Sequence, residues 1–141
     1  MARDNKLDHL ANVRLFSNLT KRELATVGRA SDEISADPGR ILVREGDTGH
    51  EFFLILDGQA VVKRAGRKVA SLGPGQYFGE LALLDRAPRN ASVIADTAMR
   101  LLVLGQREFN DLLESVPVIA QKMLRSMAAR LRDADAKAVT S

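Results

Sequence analysis

Within the run FGELALLDRAPRNAS, from Phe78 to Ser92, an acid stands near the head and an arginine near the tail, with a largely apolar segment between them. Glu80 and Arg89 are side chains here suited to a small charged ligand. A guanidinium is a planar, permanently charged fork whose N–H groups match the oxygens of a phosphate in bidentate fashion. A carboxylate would repel that phosphate. Glu80 therefore suits another part of the same ligand, a sugar hydroxyl that donates a hydrogen bond to it. Gly79 follows the end of a predicted strand, and the run from Glu80 through Leu81, Ala82 and Leu83 favours a single helical turn. The start of such a turn presents free N–H groups and the positive end of the peptide dipoles, which attract an anion. Pro88 stiffens the chain before Arg89, and the small side chains of Ala82 and Ala91 let a ligand approach the backbone. The chemistry implied is a phosphate beside a ribose. A surface ion pair worth under about 1 kcal/mol would use the same two charges, but the surrounding Gly79, Pro88 and alanines favour the ligand.

The elements around this run are a helical start, a β-rich middle and a helical end. Leu7 to Ala30 reads as two short helices with a break near Ser17 and Asn18. Thr20 followed three residues later by Glu23 forms a capping box at the start of the second. From 31 to 104 short β-type runs alternate with glycine-containing turns, which predicts about eight strands in a small barrel or jelly roll. Asp57-Gly58, Ala65-Gly66 and Asp96-Thr97 each read as a hairpin turn between strands. Gly46, Gly58, Gly73 and Gly75 read as structural turn positions. Gly105 ends the sheet, and two helices follow over 105–135, the second starting at Pro117, where proline is tolerated in a first turn. On it Ala120, Leu124, Met127, Leu131 and Ala134 recur at spacings of 4, 3, 4 and 3. That stripe suits either packing within the chain or a dimer seam. Lys122, Arg125, Arg130 and Arg132 on the same helix read as a solvated face, and the final residues from Lys137 as frayed. The whole, 1–141, is one domain of the α+β class, mainly β: an eight-stranded β-roll flanked by N-terminal helices (7–30) and C-terminal helices.

Composition narrows the function. The chain has 141 residues, enough for one modest core. Its net charge of +3 comes from 21 basic and 18 acidic residues spread along the sequence, a weak basis for binding nucleic acid. There is no cysteine, so thiol chemistry and disulfides are excluded. His9 and His50 are the only histidines, too few for a typical metal centre, and no metal or cofactor is expected. The N-terminal residues lack an apolar signal core, and the longest apolar runs are too short to span a membrane. A cytoplasmic protein with no enzymatic activity is the expectation.

The stretch from Phe78 to Ser92 resembles the phosphate-binding cassette of the cyclic-nucleotide-binding domain family, which includes the catabolite activator protein and the regulatory subunit of cAMP-dependent protein kinase. Phe78, Gly79, Glu80, Leu81, Ala82, Pro88, Arg89, Ala91 and Ser92 match its pattern. LANVRLFSNLTKREL resembles the family's leading helices and REGDTGHEFFLILDG its second and third strands, so the likeness covers about Leu10 to Arg132. It implies that Glu80 accepts the ribose 2′-hydroxyl. Arg89 would pair with the cyclic phosphate, helped by backbone N–H groups of Leu81, Ala82 and Asn90. By the same resemblance, Gly79 lets the backbone pass close to the sugar, and Leu83 links the cassette to the C-terminal helices. Asn90 departs from the alanine or threonine common after the arginine, so cAMP is the expected ligand with cGMP as the alternative. The last helix has no aromatic to cover the base. Met123, Leu124, Met127 or the stems of Arg125 and Arg130 would have to serve.

The function expected is a cyclic-nucleotide sensor that converts binding into movement of its C-terminal helices. Its partners would be the cyclic nucleotide and either a second copy, through the last helix, or another protein. The alternative is a piece of a catabolite-activator-type transcription regulator, or of a cyclic-nucleotide-regulated channel, transporter or kinase. About ten residues follow Arg132, short of the helix-turn-helix that DNA recognition needs, so DNA binding by this chain is not expected. A metal enzyme on a cupin-like roll lacks its ligand cluster.

Overall fold

Apolar residues on both faces of a strand force it between two layers, and two strands of this chain read that way. In a computed structural model, which describes residues 10, 13–85 and 87–140 without the side chains of 81, 82, 85 and 135–140, these strands are β3 (Glu51–Asp57) and β8 (Met99–Gly105). Phe52, Leu54, Leu56, Leu102 and Leu104 enter one core, beneath the helices. Phe53, Ile55, Met99, Leu101 and Val103 enter a second core between two sheets. The molecule thus has three layers: helices, an inner sheet and an outer sheet.

The inner sheet runs β1–β8–β3–β6 and the outer sheet β2–β7–β4–β5, every pairing antiparallel. Here β1 is Asp32–Ala36, β2 Ile41–Val43, β4 Ala60–Arg64, β5 Arg67–Leu72, β6 Tyr77–Phe78 and β7 Ser92–Ala95. The eight strands match the number read from the sequence. Ala65-Gly66 is a true hairpin, with φ of 52° and 78° and Arg64 opposite Arg67 across it.

The other two expected hairpins are corners between sheets. Asp57-Gly58 carries the chain from β3 in the inner sheet to β4 in the outer one, and Asp96-Thr97 returns it from β7 to β8. The corners clasp each other. Asp96 N–H and Thr97 N–H donate to Gln59 O at 2.9 and 3.2 Å, and Gln59 N–H donates to Thr97 Oγ1 at 2.9 Å. Gly58 sits at φ +95° with Ala98 O against the place a Cβ would occupy, so glycine serves close approach there.

The helices follow their caps. A 3₁₀ turn spans Arg14–Phe16 and α1 spans Lys21–Ala30. The Thr20–Glu23 capping box is formed in both directions, at 3.1 and 2.9 Å. Most of the first expected helix, at 7–9 and 11–12, lies outside the described residues; of the remainder, 14–16 form the 3₁₀ turn. Helix α2 (Glu80–Asp85) is the short turn read in the cassette, α3 covers Gln106–Ser115, and α4 begins at Pro117. Helix α4 continues to Thr140, past the end assigned at 135.

The face that α4 buries differs from the 4-3-4-3 stripe. Ile119 and Met123, with Val116 before the helix, enter the helical core, whereas Leu124 and Leu131 are 64% and 67% exposed. Lys122, read as solvated, donates instead to Ser17 O and, at 3.0 Å, to Ser17 Oγ, tying α4 to the end of the 3₁₀ turn.

Candidate functional site

Arg89 is positioned by its own backbone. Arg89 N–H donates to Asp47 O and Gly46 N–H donates to Arg89 O, both at 2.8 Å, while Pro88 bridges to Thr48. This fastening of 88–89 to 46–48 directs the side chain inward, where it is 8% exposed. Its guanidinium donates to two backbone carbonyls, Gly79 O at 3.0 Å from Nη1 and Glu51 O at 2.7 Å from Nη2. Among the described residues no carboxylate lies within ion-pair distance of it. Burial lowers its pKa, and the more distant charges of Glu51 and Glu80 oppose that. An arginine remains protonated under such conditions. The result is a buried cation that has no carboxylate at ion-pair distance and lines a cleft.

Gly79 makes that seat. Its φ is +95°, and a Cβ there would lie 2.7 Å from both Arg89 Nη1 and Glu51 O. The resemblance assigned the glycine to close approach by a sugar. In the structure its evident service is to admit the guanidinium and the Glu51 carbonyl.

Glu80 opens α2 and is 3% exposed. Burial pushes its carboxyl above the usual carboxylate range. Its own backbone N–H, then Arg130 and then Arg89 pull in the other direction without cancelling the rise. Glu80 and Arg89 are thus brought to one site, but not as an ion pair with each other. The direct partner of Glu80 is Arg130 of α4, with Nη1 3.6 Å from Oε1. Arg130, read from the sequence both as part of a solvated face and as a candidate to cover the base, therefore faces the site.

The cleft between these groups has a volume of about 270 Å³. That is just below the usual span of small-molecule sites, about 300–1,000 Å³, and suits a ligand no larger than a mononucleotide. Val43, Val62 and Leu72 give it an apolar wall from the outer sheet, while Glu80, Arg89, Asn90 and Arg130 supply polar groups. Pro88 lines it and is exposed, and Ala91 lines it from a buried position. Asn90 has an exposed side chain, and its carbonyl accepts from Arg64 Nε at 3.2 Å. Leu81 and Ala82 lie in the first turn of α2, with side chains outside the described set.

A protein-family model described as cyclic nucleotide-binding domain matches residues 33–116. The chain belongs to the cyclic nucleotide-binding domain family. It is 39% identical over 107 residues to a cAMP-dependent protein kinase regulatory subunit of Hypocrea atroviridis, covering 76% of this chain and 23% of that protein. It therefore spans about a quarter of that relative's length. The fold is similar to a structure of PKAR CBD2 bound to Sp-2Cl-cAMPS, with TM-score 0.79, 28% identity and coverage of 94% and 91% of the two chains. It is also similar to the catabolite activator protein of Thermus thermophilus, with TM-score 0.81, 31% identity and coverage of 87% and 60%.

Within this cyclic nucleotide-binding domain, the expected link from cassette to helices is present. Leu83 is 3% exposed and belongs to the same core as Phe109, Ile119 and Met123. Of the residues considered for covering a base, Met123 is consumed in that core, and Arg130 is the one that lines the cleft. The apolar wall and the Glu51 carbonyl were not singled out from sequence. A backbone acceptor carries no side-chain signature, and Val43, Val62 and Leu72 resemble any other strand residues. No cluster of potential metal ligands occurs among the described residues, and no helix there is long and apolar enough to cross a membrane.

Proposed function

We propose that this domain binds cAMP in the cleft between the outer sheet and α4 and reports it through α4. The observation that carries this reading is Arg89: a buried guanidinium with no carboxylate at ion-pair distance, lining a small cleft. Its burial has an electrostatic cost that a bound anion offsets. Two of its five N–H donors are spent on carbonyls, which fix its plane and leave the others for a cyclic phosphate. A cyclic phosphate carries one negative charge, so one arginine neutralises it. Backbone N–H groups of Leu81, Ala82 and Asn90 are the further donors in this reading, with Gly79, Pro88 and Ala91 shaping the approach. Glu80 accepts the ribose 2′-hydroxyl, and the base lies toward Val43, Val62 and Leu72 with Arg130 above it.

Transmission runs through Glu80. A sugar hydroxyl that bonds Glu80 competes with Arg130 for the same carboxylate, and Arg130 is fixed to α4. A ligand that favours one Glu80–Arg130 arrangement thereby favours one position of α4, to the extent of its differential affinity for the two. The exposed Leu124 and Leu131 make α4 the surface through which a second copy or another protein reads that position. The role is regulatory binding, not catalysis.

The test is calorimetric titration of the nucleotide-stripped protein with cAMP, cGMP and 2′-deoxy-cAMP. Saturable one-to-one binding, tightest for cAMP and weakened by loss of the 2′-hydroxyl, is expected. No binding of any of the three to folded, stripped protein would overturn the assignment.

A further inference from the structure

The β4–β5 hairpin concentrates charge in a way that the fold does not need. Lys63, Arg64, Arg67 and Lys68 fall within one short turn of sequence with no acid among them, and together they exceed the net charge of the whole chain, +3. The remainder of the protein is close to neutral. The register sets these cations directly against one another, Lys63 opposite Lys68 and Arg64 opposite Arg67. Like charges directly opposite across an antiparallel pair are destabilising. Among the described residues none of the four has a carboxylate at ion-pair distance.

Cations on a sheet edge commonly guard it against unwanted pairing. That accounts for β5, which is the edge strand, but not for Lys63, which is paired with Lys68 on one side and with Ser92 on the other. The tip is also held in place. Ala65 N–H donates to Glu45 Oε1 at 2.9 Å, and Arg64 Nε donates to Asn90 O at 3.2 Å. Beside the cations, Val69 is left out of the ladder where the register shifts, and it is 52% exposed. Adjacent strand residues point to opposite faces, so Lys63 and Lys68 lie on one face of the hairpin and Arg64 and Arg67 on the other. A flat anionic surface meets one face, whereas an extended polypeptide along the free edge of β5 reaches Arg67 and Lys68 together. A polypeptide also uses the exposed Val69.

We propose that the free edge of β5 is a docking site for an acidic, extended segment of a partner protein, whose alternating carboxylates meet Arg67 on one face and Lys68 on the other and one of whose apolar side chains meets Val69. A hairpin whose tip is already held costs little further backbone ordering on binding, and opposite charge relieves the repulsion built into the register. This inference is independent of the nucleotide reading.

The probe is a short fluorescein-labelled peptide of glutamates and aspartates around one leucine, followed by anisotropy at moderate salt. Labelled mixed-sequence duplex DNA and phosphatidylserine-containing vesicles are measured alongside. Saturable binding of the peptide is expected, tighter than that of the duplex or the vesicles. The double variant Arg67→Glu/Lys68→Glu weakens it at least about tenfold, while Arg107→Glu on α3 does not. Because the substitutions remove like-charge opposition, the double variant keeps or raises its Tm, and Arg67→Gln/Lys68→Gln repeats the loss without reversing charge. Absent peptide binding, equal binding by the double variants, or tighter binding of duplex or vesicles overturns the proposal.

Discussion

Arg130 of α4 reaches back to Glu80 at the start of α2, placing Nη1 3.6 Å from Oε1, with the arginine side chain 56% exposed and the glutamate side chain 4% exposed. The two ends of this pair experience different dielectrics. For the arginine, mostly in water, the contact contributes little to stability. For the glutamate it is one of the few interactions that oppose the rise in carboxyl pKa caused by burial. Replacing Arg130 by alanine is expected to change unfolding free energy by less than about 1 kcal/mol. It should raise the Glu80 pKa further, read by carboxyl-carbon NMR titration. An unchanged Glu80 titration would mean that the pair is incidental.

Glu80 also gives the domain a pH dependence of definite sign. Its folded pKa is raised above the unfolded value by burial, so the folded state holds the proton more tightly. Its contribution to stability is full below the unfolded carboxylate value and is lost as pH rises through the folded one. In that window, just above the ordinary carboxylate range, stability falls with rising pH. Glu80→Gln removes this component, which urea unfolding across the window measures. Parallel pH profiles for wild type and variant would contradict it.

Gly79→Ala forces a side chain into the left-handed region and into contact with Arg89 and the Glu51 carbonyl. The expected loss is about 1–3 kcal/mol of stability, accompanied by weaker cAMP binding because the guanidinium loses its seat. Thermal unfolding and titration together check this. Normal affinity in the variant would show that the seat is not needed.

Leu124 is 64% exposed on the flank of α4 that the core does not use. Leu124→Glu should leave monomer stability within about 0.5 kcal/mol and weaken self-association through α4. Sedimentation velocity across a concentration series reads this. Identical profiles for wild type and variant would remove α4 as a seam.

Local chemistry was legible in the sequence where its partners are local. The Thr20–Glu23 box, Pro117, the Ala65-Gly66 hairpin and the turn after Gly79 each depend on residues a few positions apart. Asp57-Gly58 and Asp96-Thr97 misled for a physical reason. A tight turn that returns within a sheet and one that steps to the opposite sheet use the same residues, and only the distant pairing of β3 with β8 and β4 with β7 separates them. Helix α4 shows the same limit. Ile119 and Met123 form a helical stripe as good as the one through Leu124 and Leu131, and periodicity cannot say which meets the core. In the site, Glu80 and Arg89 were recognisable by charge and spacing. The carbonyl acceptors of Gly79 and Glu51 and the approach of Arg130 depend on tertiary contacts.

The central claim is that the buried charge of Arg89 exists for a cyclic phosphate. Its most direct test is calorimetric titration of cAMP into wild type and Arg89→Ala, with circular dichroism confirming that the variant is folded. Removing one partner of a buried charged contact should weaken binding by about 2–5 kcal/mol. A folded Arg89→Ala protein that binds cAMP as tightly as wild type would contradict the account.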